Sequence, residues 1–135
     1  MARDGPALAG FYVAVFGLCI LRPRRALSGP LFARGLGLDH VAFHSTWLGF
    51  PGANAPFLEI FDAPGAQFPG LPEFDWPGFR HLAVAVGDLQ HVLSRALAEG
   101  GTRLGEPVDL GTPDHPCLAV YLRDPEGNLL ELEQI

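Results

Sequence analysis

Two glutamates stand in the middle of apolar strands, where a carboxylate needs a reason to be. Glu131 lies in LLELEQ, with Leu129 and Glu133 on its own face and Leu130 and Leu132 on the other. Glu59 lies in FLEIF, between Phe57 and Phe61 on one face. An unpaired carboxylate on such a face is costly, and either a cation or a hydrogen-bond donor relieves the cost. A solvated outer face is the other reading, and it suits Glu133, close to the last residue printed. His81 opens the apolar run HLAVAV. A histidine there is ordinarily a hydrogen-bonded core or edge residue, although imidazole is also a common metal ligand.

The elements that must carry these groups follow from periodicity. Leu8, Phe11, Tyr12, Val15 and Phe16 fall at helical spacing, with Asp4 as a cap, Pro6 in the first turn and Gly17 as a stop. A core-packed helix over 5–16 follows. LCILRPR reads as a strand cut by Pro23, which suits an edge or a strand end. LFARGLGL reads as a short helix ended by glycine, and VAFHSTWL (41–48) and FLEIF (57–61) as strands. After the proline- and glycine-rich stretch from Ala63 to Gly78, the plan restarts with a strand at 81–86. A helix over 88–99 follows, capped by Asp88, with Leu89, Val92, Leu93, Ala96 and Leu97 at core spacing and Gly100-Gly101 at its end. TRLGEPVDL is a strand or a broken strand and CLAVYLR another. Asp124-Pro125-Glu126-Gly127 then forms a type I turn into the last strand.

Composition narrows the function classes. At 135 residues, 48% hydrophobic and with a net charge of −6, the chain suits one compact domain or two small halves sharing a core. It has no basic run to track phosphates, so nucleic acid is not an expected partner. The uncharged stretch from Gly5 to Leu21 falls short of a membrane span. Cys19 and Cys117 sit in apolar runs without metal-type spacing and read as buried free thiols, which suits a reducing cytoplasm.

The two halves repeat. Asp88 follows Asp4 by 84 residues, and Glu131 follows Glu59 by 72, the difference being about the size of the extra LFARGLGL segment. The domain therefore divides into module one (1–62), a linker (63–78) and module two (79–135). The strand that opens module two has no counterpart: the position matching His81 falls before Met1. Either the first strand of module one is lost or the printed chain starts late.

FYVAVFGL, GPLFARGLGL, FLEIF, HLAVAVGDL and DPEGNLLELEQ together resemble the vicinal oxygen chelate superfamily, over nearly the whole chain. That superfamily includes glyoxalases, methylmalonyl-CoA epimerases, extradiol dioxygenases, and fosfomycin- and bleomycin-resistance proteins. The resemblance implies an α+β fold of paired βαβββ modules, forming a curved mixed sheet around a metal-centred cavity. Its ligands come from the first and last strands of each module, which here implies Glu59, His81 and Glu131, with a fourth on the strand this chain lacks. Two carboxylates and one imidazole neutralise a divalent ion and leave open positions. They suit Zn, Ni, Mn, Co or Fe without choosing among them.

Three functions follow from that resemblance. The first is a metal-dependent glyoxalase-like enzyme on a small substrate with neighbouring oxygens. A carboxylate, Glu131 or Glu59, moves a proton through an enediolate-type step. The asparagine-tryptophan-glycine stretch familiar from bacterial glyoxalases is absent from the sequence, so the substrate stays open. The second is a ferrous ring-cleaving dioxygenase, disfavoured because only one histidine is in place. The third is a non-catalytic protein of the bleomycin-resistance sort that sequesters a small molecule. Phe57, Phe61, Tyr121 and Arg123 are the candidate substrate contacts. His44 lies in a strand and could face the cavity, His40 and His115 are loop residues, and His91 lies on a polar helix side. Trp47 and Trp76 read as core and linker anchors. A homodimer is expected, because a missing strand exposes an edge that a partner can cover.

Overall fold

The computed structural model describes residues 1–53, 55–63, 65, 70, 73 and 75–135. The chain divides into two compact units, 1–67 and 68–135; half of the linker read over 63–78 lies outside the described residues.

In the first unit, α1 (Gly5–Phe16) begins where Asp4 accepts from Ala7 N at 3.0 Å and ends at Gly17, whose φ of 67° closes the helix in the left-handed region. Leu8, Phe11, Tyr12 and Val15 are buried on the face turned to the sheet. Full burial of such side chains stabilises by roughly 1.5–3 kcal/mol each, an upper estimate against a compact unfolded state. The sheet runs β1 (Cys19–Ser28), β2 (Ala42–Gly49), β3 (Phe57–Asp62), all antiparallel. The short α2 (Pro30–Leu36) sits between β1 and β2 in sequence and ends at Gly37. Pro23 does not cut β1. The strand continues past it to Ser28, and the pairing with β2 shifts register between Ile20 and Arg25. A bulge on an edge strand is where a residue without an N–H can be carried.

In the second unit, β4 (His81–Ala85) runs parallel to β8 (Leu129–Gln134), and β8 is antiparallel to β7 (Leu118–Arg123). The TRLGEPVDL strand is broken into β5 (Thr102–Arg103) and β6 (Val108–Asp109), both paired with β7. Counting that broken strand once leaves seven main strands among the described residues. Helix α3 (Leu89–Ala98) starts at Asp88, which accepts from His91 N at 2.9 Å, and packs on β8. Leu97 is exposed and not part of its core face, which is carried by Leu89, Leu93 and Ala96. At the DPEG turn Gly127 N donates to Asp124 O at 2.9 Å. The buried Asp124 carboxylate accepts from Glu126 N and Asn128 N.

One hydrogen bond in each unit fixes the repeat. Val86 N donates to Glu133 O at 2.7 Å, and Ala2 N donates to Phe61 O at 2.6 Å. Ala2 is thus the counterpart of Val86, and Phe61 of Glu133, which reproduces both sequence offsets. Ala2 also forms an isolated parallel bridge to Asp62. The first strand of module one is therefore represented, among the described residues, by the Ala2 bridge at its end. The two cysteines are free thiols, but half-buried and not fully buried. No helix among the described residues is long and apolar enough to cross a membrane.

Candidate functional site

Each unit places a glutamate on the face of its sheet opposite the long helix. In the second unit, pairing puts Tyr121 directly across from Glu131, with Ala83 on the other side. Glu131 is only 6% exposed. Its Oε2 stands 3.0 Å from His81 Nε2, and its carboxylate accepts a hydrogen bond from the Tyr121 hydroxyl. That bond, burial and the Glu131 and Glu133 charges push the Tyr121 phenol from 10.0 up to about 12. The His81 and Tyr121 rings meet edge to face, 5.5 Å between centroids. Cys117 precedes β7 near this cluster. Burial, then the Glu133, Asp109 and Glu131 charges, push its thiol up, so it stays protonated at neutral pH. Arg123 lies two residues from Tyr121, yet its Nη1 donates to Gly127 O at 2.8 Å and its Nη2 lies 3.9 Å from Glu73. Its guanidinium ties down the turn.

In the first unit, Trp47 is directly across from Glu59. Glu59 Oε1 accepts from Trp47 Nε1 at 2.7 Å and from Ser45 Oγ at 2.5 Å. The indole lies parallel to Phe57, 4.2 Å between centroids, and Arg22 Cζ sits 3.8 Å from the Trp47 ring. Phe57 is 45% exposed. Phe61 packs edge to face on Phe43, at 4.9 Å, against the cluster of Leu27, Ala33 and Val41. Trp47 is a half-buried hydrogen-bond donor stacked on Phe57, so the reading of it as a core anchor is corrected.

His44 belongs elsewhere. It alternates away from Ser45 and Trp47, and pairs with Asp62 on the helix side of the sheet. There the buried Asp62 carboxylate accepts from Arg24 Nε and Nη2, the latter at 2.7 Å, and Arg24 Nη2 lies 2.8 Å from His44 Nδ1. Hydrogen bonding to Asp62 raises the Arg24 pKa further. His40, His91 and His115 are exposed.

Of the residues singled out in the sequence, His81, Tyr121 and Glu131 lie together in the second unit and Glu59 meets Trp47 in the first; Ser45, a partner of Glu59, was not among them. Strand parity puts Phe43, Ser45 and Trp47 on one face; the β2–β3 pairing register, which brings that face to Glu59, is the added information. Of the implied ligand set, His81 and Glu131 come together in the second unit, and Glu59 stands in the first. Among the described residues no group of three or more His, Cys, Asp or Glu side chains is drawn together as a cation site. The His81–Glu131 pair nonetheless fits an ion chemically. An imidazole nitrogen and a carboxylate oxygen are both donor types that a divalent ion accepts, and the two stand 3.0 Å apart.

The sequence matches the profile of the glyoxalase-like domain over residues 2–133. The chain belongs to that family. With it comes membership of the vicinal oxygen chelate superfamily. Solved structures agree on the fold of this glyoxalase-like chain. A glyoxalase family protein from Bacillus cereus is 20% identical, with a TM-score of 0.75 over 89% of this chain and 79% of that one. Glyoxalase I from Zea mays is 21% identical, with a TM-score of 0.69 over 99% of this chain. The glyoxalase-like chain spans 42% of the maize protein's length. A glyoxalase family protein from Enterococcus faecalis is 26% identical, with a TM-score of 0.63, covering 96% of this chain and 88% of that one. No match was found among curated proteins.

Proposed function

We propose that the chain is a metal-dependent glyoxalase-like enzyme acting on a small substrate with neighbouring oxygens. The observation that carries this reading is the 3.0 Å pair of His81 Nε2 and Glu131 Oε2, with Tyr121 donating to the same carboxylate. His81 and Glu131 would hold a divalent ion of the Zn, Ni, Mn, Co or Fe kind, and Glu59 is the further carboxylate that the resemblance implies as a ligand. When bound, such an ion supplies a Lewis acid for adjacent substrate oxygens. Glu131 is the proton carrier. It takes the proton from the carbon beside a carbonyl and returns it to the neighbouring carbon. Tyr121 holds the carboxylate in place during the transfer, and the exposed Phe57 ring offers an apolar surface for the substrate. The free thiols suit a cytoplasmic enzyme.

The test is metal analysis of protein purified without added metal or a metal-binding tag, followed by calorimetric titration with zinc, nickel and manganese. In parallel, deuterium from heavy water should enter the carbon-bound position of a small α-hydroxy carbonyl compound. Absence of both metal uptake and exchange sinks the reading.

One observation favours a second reading, a small-molecule binding protein without metal. Glu59 already has two donors on Oε1, so it needs no cation to offset its burial. Saturable binding of an apolar aromatic probe that is unchanged by chelators would favour that reading.

A further inference from the structure

Trp47, Ser45 and Glu59 form a closed triangle of hydrogen bonds. Besides the two bonds to Glu59 Oε1, Trp47 Nε1 also approaches Ser45 Oγ at 3.1 Å. The indole cannot turn freely, being stacked between the parallel Phe57 ring and the Arg22 guanidinium. Ser45 is 1% exposed, so its hydroxyl has no ready exchange with water. Among the described residues Glu59 Oε2 carries no hydrogen bond.

We propose that Ser45 and Trp47 are positioning residues for Glu59, committing Oε1 and turning the carboxylate so that Oε2 alone is offered to a ligand. The chemistry is specific. Two donors occupy the lone pairs of one oxygen, which leaves a one-oxygen donor in a fixed rotamer in place of a two-oxygen chelating carboxylate. Neither donor readily exchanges its proton with the carboxylate near neutral pH, so Glu59 serves as a fixed ligand. Its role towards an ion rests on the reading above, whereas the triangle itself does not.

The experiment uses the full chain and three variants. Trp47→Phe keeps the ring stack and removes only the N–H. Ser45→Ala removes one hydroxyl and keeps the test open if Trp47→Phe fails to fold. Glu59→Ala removes the acceptor. Trp47 and Trp76 are the two tryptophans, so Trp47→Phe assigns the indole N–H resonances by nuclear magnetic resonance. The Trp47 indole proton should exchange with deuterium at least about 10-fold more slowly than that of Trp76, and Glu59→Ala should abolish the difference. Zinc affinity should fall about 10-fold in Trp47→Phe and in Ser45→Ala, the scale seen when an outer partner of a ligand is removed. Equal exchange of the two indole protons in the wild type overturns the proposal. So does unchanged zinc affinity in both variants of a protein that binds zinc. If the wild type takes no zinc while the protection of Trp47 depends on Glu59, the positioning stands and the metal reading falls.

Discussion

The two units carry the same device with different chemistry attached. In each, an aromatic residue directly across the last strand donates to the mid-strand glutamate: Trp47 to Glu59, Tyr121 to Glu131. The third member differs. Glu59 has Ser45, from the same strand as Trp47, while Glu131 has His81, from the strand that opens the second unit. Ala119 occupies the place that matches Ser45. One carboxylate is thus surrounded by donors that hold their protons near neutral pH. The other has a ring nitrogen of His81 at 3.0 Å and a phenol whose proton it holds. Duplication supplied the scaffold, and the chemistry follows the third residue.

If that contrast governs activity, Glu131→Gln gives the largest effect. The turnover of a small α-hydroxy carbonyl substrate should fall about 100- to 10,000-fold, the usual contribution of a positioned general base. The thermal midpoint should stay near wild type, because the amide keeps an acceptor for Tyr121. Equal losses from Glu59→Gln and Glu131→Gln would break the assigned division of labour.

The units also differ at an edge. β8 is paired along β4 from Leu129 to Glu133, whereas the edge of β3 away from β2 meets Ala2 alone among the described residues. Unpaired strand edges recruit partners. A homodimer is the proposed outcome, with light scattering giving about twice the 14.5 kDa chain mass. A 14.5 kDa particle at all concentrations would show that the β3 edge recruits no second copy.

How far the sequence went is visible in particular residues. Asp4 and Asp88 marked both helix starts, because an acceptor for the first free N–H groups is a local requirement. The paired offsets gave the repeat, which the Ala2 and Val86 hydrogen bonds reproduce. Pro23 misled, since a proline ends a regular strand but rides in a bulge, and bulges depend on the partner strand. Leu97 had core spacing yet is 42% exposed. The surroundings of Glu59 were half legible. The sequence established that an apolar face needed a donor or a cation, but only strand register could show that Ser45 and Trp47 are the donors.

A smaller expected effect concerns the start of α1. A Cβ on Gly5 would run into the Asp62 carboxylate, which Arg24 holds in place. Gly5→Ala should therefore destabilise the chain by about 1–3 kcal/mol, as overpacking does, despite the better helix propensity of alanine. The corresponding position after Asp88 is Leu89, fully buried in the second unit, so the two helix starts are not interchangeable. Denaturant unfolding of Gly5→Ala checks the sign; a stabilised variant would mean that Asp62 moves aside without cost.

The finest distinction is in alkaline titration, and its sign can be worked out. The folded-state pKa of Tyr121 is about 12 against 10.0 for the free phenol, the hydrogen bond to Glu131 being the first cause. A raised folded pKa means that folding favours the protonated phenol. The associated stabilisation is fully present below pH 10 and drains away as pH rises through about 12. Near-ultraviolet phenolate absorbance, taken as the difference between wild type and Tyr121→Phe, should therefore place the midpoint well above that of free tyrosine. Glu131→Gln should bring it back down, because the amide oxygen can accept the bond but carries no charge to favour the proton. Trp47 does not titrate in this window, so Ser45→Ala should leave the Tyr121 midpoint where it was. A midpoint near 10 in the wild type would mean that the phenol is not held by Glu131, and the parallel between the two aromatic donors would be lost.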